Sequence, residues 1–259
     1  VKALAARRHH RAAPVVLLLL ALLVTGGVYA VLAPSSATAE TASTADIETG
    51  NKLFQANCAT CHGPNAEGTS EAPSLVGVGA AAVDFQVSTG RMPMQQNGPQ
   101  AAAKPPQMDE QQIAALAAYV ASLGAGPAIP TDEQVDPALG DPSNGLEVFR
   151  TNCAMCHNAI GAGGALSEGK YAPSLRDTEP RNIYQAMLTG PQSMPVFNDA
   201  NITPEDKRDI IAYLEDQREG SAGGFALGGL GPVAEGLWAW IIGIGLLIAG
   251  SVWIGAKSS

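Results

Sequence analysis

Four cysteines occur in this 259-residue chain, and they fall into two pairs of one form, Cys58-Ala-Thr-Cys61-His62 and Cys153-Ala-Met-Cys156-His157. The other histidines, His9 and His10, lie in a basic N-terminal run. Whatever the body folds into, it must bring two thiols and one imidazole together, twice. The flanking sequence repeats as well. At an offset of 95 residues, Gly50 to Cys58 answers Gly145 to Cys153. Further on, Ala72-Pro73-Ser74-Leu75 answers Ala172-Pro173-Ser174-Leu175, and Thr89-Gly90 with Met92-Pro93 answers Thr189-Gly190 with Met194-Pro195. Landmarks preserved in order mark a duplicated unit. The boundary is residues 125–142, where Pro127, Pro130, Pro137 and Pro142 predict an extended, semi-rigid linker.

Each unit reads as a few helices joined by long Gly/Pro/Ala segments. Ile47 and Phe54 mark a short amphipathic helix before the first pair, and Ile113, Leu116, Ala117, Val120 and Leu123 recur at helical spacing after the last landmark. Asp109 with Gln112 has the form of a capping box. The second unit repeats the scheme with Thr203 as N-cap, Pro204 at the first helical position and Asp206 three residues after the cap, followed by Ile210, Ile211, Tyr213 and Leu214. Tyr119 and Tyr213 read as core contacts against the opposite helix, and Phe54 and Phe149 as packing residues near the cofactor that the paired motifs imply. Units of about 85 residues with so few bulky apolar side chains bury too little surface to be stable without a metal, disulfides or a cofactor.

The paired motifs point to the cofactor. In Cys-x-x-Cys-His two thiols add to the vinyl groups of haem while the adjacent imidazole ligates iron, which places c-type haem at Cys58, Cys61 and His62 and again at Cys153, Cys156 and His157. A disulfide across two residues does not require a histidine after it. A zinc site needs four ligands where each unit offers three, and a thioredoxin-like pair needs a βαβ context that is missing. One histidine per unit excludes bis-histidine ligation and leaves methionine, water or an open position on the other face. Met92, Met94 and Met108 are candidates in the first unit, Met187 and Met194 in the second. Met92 and Met194 are selected because both precede proline at equivalent places; Met187 and Met108 suit core filling better. Histidine and thioether together close the iron to exogenous ligands and raise its potential, which fits single-electron transfer and requires no acid, base or nucleophile.

Two apolar runs flank this body. Residues 15–33 carry no charge and would span about 28 Å as a helix at ~1.5 Å per residue, matching the hydrocarbon thickness. Lys2, Arg7, Arg8 and Arg11 precede them, so a retained anchor would leave its N-terminal side in the cytoplasm and the body outside. Cleavage near Ala37-Thr38-Ala39 is the competing expectation, and in both cases the body is exported. Residues 237–256 form a second uncharged run with Trp238, Trp240 and Trp253 toward its ends and Lys257 after it, as expected of a span with a cytoplasmic C-terminal side. The apolar, Gly-rich stretch before it, residues 220–236, is expected to lie on a partner subunit or the membrane surface. All 24 acids lie between Glu40 and Glu235, leaving that stretch at −14 and the ends at +5. Such a body lacks the basic footprint that nucleic acid requires.

Taken together, two tandem haem motifs between an N-terminal anchor and a C-terminal span, with Ala226-Leu227-Gly228-Gly229-Leu230-Gly231-Pro232 before that span, closely resemble the dihaem cytochrome c subunit of the actinobacterial menaquinol-cytochrome c reductase, the bcc complex. The resemblance implies an all-α fold of two class I cytochrome c domains, residues 46–124 and 143–219, set between a basic N-terminus (1–14) with its span (15–33) and the C-terminal span. It implies two covalent haems c, with His62 and Met92, and His157 and Met194, as axial ligands. It also implies work beside cytochrome b and a Rieske iron-sulfur protein, with electrons entering at the first haem and leaving at the second to the copper site of a haem-copper oxidase in a supercomplex. A haem subunit of another membrane dehydrogenase or oxidase is the nearer alternative; a dihaem peroxidase would need an open haem and distal acid-base groups, and a free shuttle would need no C-terminal span.

Overall fold

The computed structural model describes residues 13–32, 43–96, 98–219 and 232–257. The basic residues before Ala13, the Ala37-Thr38-Ala39 segment and residues 220–231 of the Gly-rich stretch lie outside them. The chain divides into two units, Val1–Thr41 and Ala42–Ser259. In the first, helix α1 covers Ala13–Leu32; its apolar part, residues 14–27, is exposed throughout and is shorter than the expected span of 15–33.

The second unit holds two helical assemblies of the same plan. Helix α2 (Thr44–Asn57) starts at a capping box of Ser43 and Asp46 and runs into the single-turn α3 (Ala59–His62). After a long loop come α4 (Gly79–Ser88) and α5 (Glu110–Ser122), the latter capped reciprocally by Asp109 and Gln112 as its sequence predicts. The linker is more ordered than its prolines suggest: a helical turn α6 (Asp132–Val135) and a 3₁₀ turn (Pro137–Leu139) sit inside it. Then α7 (Pro142–Asn152) and the single-turn α8 (Ala154–His157) repeat α2 and α3. The two-residue strands β1 (Gly164–Ala165) and β2 (Tyr171–Ala172) pair antiparallel, a local exception to the all-helical expectation. Helices α9 (Pro180–Thr189) and α10 (Pro204–Glu219) complete the second assembly, with Thr203 and Asp206 forming the predicted cap. Helix α11 runs Pro232–Lys257, so it begins five residues before the apolar run and takes in the end of the Gly-rich stretch. Within it, 236–256 is long and apolar enough to cross a membrane.

In both assemblies the first and last helices cross at a glycine. A Cβ added to Gly50 would lie 2.0 Å from the Ala115 carbonyl oxygen, and one added to Gly145 would lie 1.9 Å from that of Asp209. One helical turn later an aromatic pair closes the crossing, Phe54 with Tyr119 at 5.3 Å and Phe149 with Tyr213 at 5.4 Å between ring centroids, both tilted by 49°. Tilted pairs at this separation contribute about 0.5–1.5 kcal/mol beyond their burial. Ile113, Leu116, Ala117 and Val120 join Phe54 in the first core, and Ile210, Ile211, Tyr213 and Leu214 join Phe149 in the second. Tyr119 and Tyr213 thus pack against the opposite helix, on Phe54 and Phe149.

The assemblies also bond to each other. Asp84 on α4 accepts from Gln185 Nε2 on α9 at 2.6 Å and pairs with Arg181 at 3.0 Å. The Gln100 side chain mimics a peptide against the free edge of β2: its Nε2 donates to Tyr171 O and its Oε1 accepts from Tyr171 N, both at 2.9 Å. Ala101 N donates to Gln192 Oε1 at 3.3 Å.

Candidate cofactor sites

The two motifs occupy equivalent corners, where α2 or α7 ends and one further helical turn begins. Cys58 N donates to Phe54 O and Cys153 N to Phe149 O, both at 2.8 Å, and the following turn places His62 N on Cys58 O and His157 N on Cys153 O, both at 2.9 Å. Two intervening residues on such a turn set the thiols apart along one edge and swing the next side chain inward. Both imidazoles are accordingly buried, at 8% exposure for His62 and 9% for His157.

The ring nitrogens are already sorted. His62 Nδ1 lies 2.8 Å from the carbonyl oxygen of Pro73, and His157 Nδ1 lies 3.0 Å from that of Pro173. A carbonyl accepts only, so each Nδ1 carries a proton and donates, and in the neutral ring the lone pair is then on Nε2. This is how metal-ligating imidazoles are held. The proline carbonyls are pinned in turn: Leu75 N donates to Ala66 O at 2.8 Å and Leu175 N to Gly161 O at 2.7 Å. The Ala-Pro-Ser-Leu repeat thus orients the imidazole, a role its sequence marks only by recurring.

The electrostatics favour uncharged groups. Burial first, then the neighbouring thiol, pushes Cys58 up to about 11 and Cys153 up to about 12. Burial holds the His157 imidazole below its ordinary value against the opposing bond to Pro173. Neutral thiols become neutral thioethers with no charge to strand, and a neutral imidazole is the ligating form.

In the second assembly Cys153, Cys156, His157 and Met194 line one cavity of about 480 Å³, a size usual for a bound small molecule. Met187 also reaches it but is 2% exposed within the core, the position expected of a packing residue. In the first, Cys58, Met92 and Met108 pack at the margin of one core; Cys61 is exposed. The donors present, two thiols at an edge, an imidazole with free Nε2 and a thioether on the later loop, fit haem c. Among the described residues no cluster of three or more His, Cys, Asp or Glu could hold a bare metal ion.

A cytochrome c family model matches residues 47–124, and a model of the cbb3-type cytochrome c oxidase subunit III matches residues 140–214. The cytochrome bc1 complex cytochrome c subunit of Corynebacterium efficiens is 49% identical over 240 residues, covering 86% of this chain and 80% of that protein. Its counterpart from Mycobacterium tuberculosis is 47% identical over 244 residues, covering 91% and 87%. The chain belongs to the cytochrome bc1 complex cytochrome c subunits. Its two cytochrome c domains imply covalently bound haem c and a role in electron transfer. Cytochrome c6 of Limnospira maxima, 34% identical over 87 residues, spans 97% of its own length on 31% of this chain, so a single domain here has the length of a whole small cytochrome.

Proposed function

We propose that this subunit is the dihaem relay of a quinol-oxidising complex, passing single electrons from a Rieske iron-sulfur protein through its first domain and then its second to the copper site of a haem-copper oxidase. Haem c, when bound, supplies a one-electron couple at each site. Cys58 and Cys61 would hold the first haem, with His62 and Met92 to ligate its iron; Cys153 and Cys156 would hold the second, with His157 and Met194. The chain's own contribution is positional. Pro73 and Pro173 orient each imidazole, Met92 and Met194 would shield the iron from water and oxygen, and the bonds between assemblies would set the separation an electron has to cross. No residue acts as acid, base or nucleophile.

The duplicated imidazole arrangement carries the reading, because the same carbonyl-held ring beside the same paired thiols is what a relay of two like centres needs. Helices α1 and α11 would both span the membrane, with the basic flanks at Arg11 and Lys257 on the cytoplasmic side, the haem domains on the other, and cytochrome b, the Rieske protein and the oxidase as neighbours. Extraction in mild detergent tests it. Recovery with a b-type cytochrome and a Rieske protein, with two haems per chain surviving denaturing solvent, is the expected result; recovery with a dehydrogenase instead would replace it.

A further inference from the structure

The cavity of the second assembly is not built by that domain alone. Phe85, Ser88, Thr89, Arg91, Gln100 and Ala103, all from the first assembly, form part of its wall. Among its lining residues Arg91 is the one lysine or arginine, whereas Asp177 and Glu179 supply acidic groups on the side of the second domain. The Arg91 guanidinium lies 4.8 Å from the centre of the Phe85 ring, a contact that fixes its direction. Among the described residues it has no ion-pair partner. A half-buried guanidinium without a carboxylate is costly and suits a planar anion that arrives with a ligand. Haem carries two such anions, its propionates, and the acidic groups opposite would repel them.

We propose that Arg91, a residue of the first domain, binds a propionate of the haem held in the second domain's cavity and thereby raises the potential of that second centre. The inference rests on haem c occupying the cavity. A fixed positive charge beside the porphyrin favours the reduced iron, which carries one positive charge fewer than the oxidised form. An opposite charge within a few ångströms shifts a titrating group by about 1–3 pKa units, so an effect of about tenfold on the iron couple is the scale to look for.

Optical redox titration of the full-length, detergent-extracted protein tests this, with the two waves assigned by the falls produced by Met92→His and Met194→His. Arg91→Gln is expected to raise the oxidised-to-reduced ratio of the second haem about tenfold at fixed ambient potential, a fall of about 59 mV for one electron, while the first stays within about twofold. Arg91→Lys should restore most of the shift. Two retained haems with unmoved potentials, or a change confined to the first, would overturn the role of Arg91 and leave the cofactor reading intact. Fewer than two covalent haems in the unsubstituted chain would instead remove the reading beneath it. Should Arg91→Gln assemble poorly, infrared redox-difference spectra with haem isotope-labelled at the propionate carboxyls report the same contact. A carboxylate band moved by Arg91→Lys supports it, and an unmoved band overturns it.

Discussion

At the scale of single residues, the tightest constraint is a missing side chain. With Cβ positions 2.0 and 1.9 Å from opposing carbonyl oxygens, Gly50 and Gly145 leave no room for even a methyl group, and the atoms in the way are backbone. Gly50→Ala must therefore spread α2 from α5, and Gly145→Ala must spread α7 from α10, each at a cost of about 1–3 kcal/mol or more. Each change should lower haem incorporation in its own domain and spare the other, read as haem absorbance per chain; equal loss at both would contradict independent crossings. The thioethers make a complementary prediction. Met92→Leu and Met194→Leu should each abolish the weak far-red sulfur-to-iron band of one haem, and an unchanged spectrum would move ligation to Met94 or Met187. The cysteines and histidines are legible because attachment chemistry dictates residue type and spacing together. Pro73 and Pro173 are not, since a backbone carbonyl is supplied by any residue and only its direction matters. Arg91 is hidden for a different reason: it lines a cavity whose thiols lie more than sixty positions along the chain.

Among the elements, helices with both a capping signal and an apolar period are readable from sequence, as α5 and α10 are. Asp109 accepts from Gln112 N at 2.9 Å, and Thr203 Oγ1 accepts from Asp206 N at 3.1 Å. Asp109→Ala and Thr203→Ala should each destabilise their domain by about 1 kcal/mol in denaturant titrations. The α10 cap also carries a pH dependence. The Asn144 side-chain amide, donating to Asp206 Oδ1 at 2.9 Å, is the foremost cause holding that carboxyl below its usual 3.8, with further help from Thr203. A folded-state value below the unfolded one means a stabilising contribution that is complete above pH 3.8 and disappears as pH falls through the lower folded value. Asn144→Ala should accordingly move the acid-unfolding midpoint, followed by far-UV circular dichroism, to higher pH; a midpoint that stays put would assign the acid sensitivity elsewhere. The linker shows where such legibility ends. Thr131 with Gln134, and Asp136 before Pro137, carry cap signals, yet a single turn has no period to detect and is too short to be stable alone. Its turns pack against α10, so tertiary contact supplies what local preference does not.

For the whole molecule, the question is whether two domains of like plan move as one. Their bonds join α4 to α9 and the loop after Met92 to the segment around β2 and to Gln192, close to the features that hold each cofactor site. Electron transfer falls steeply with distance, so a fixed separation has functional weight. The centre of the junction is Asp84, whose buried carboxylate lies between Arg181 and Gln185, four residues apart and hence on one face of α9. Gln185 is fully buried at 0% exposure, so without Asp84 its amide loses its partner where water does not reach. An unsatisfied buried donor costs about 1–3 kcal/mol, a five- to 150-fold loss in the ratio of docked to separated domains. Asp84→Ala should therefore leave both haems attached and the first potential nearly unchanged, with the second falling in the separated fraction where Arg91 has left the cavity, while the distance distribution between the two ferric irons, measured by pulsed electron paramagnetic resonance, broadens and lengthens. Interhaem transfer after flash reduction should slow in parallel. A distribution as narrow as that of the unsubstituted chain would show that Gln100 and Gln192 suffice to hold the domains, and would shift the control of interhaem distance from α4 and α9 to the loop that follows Met92.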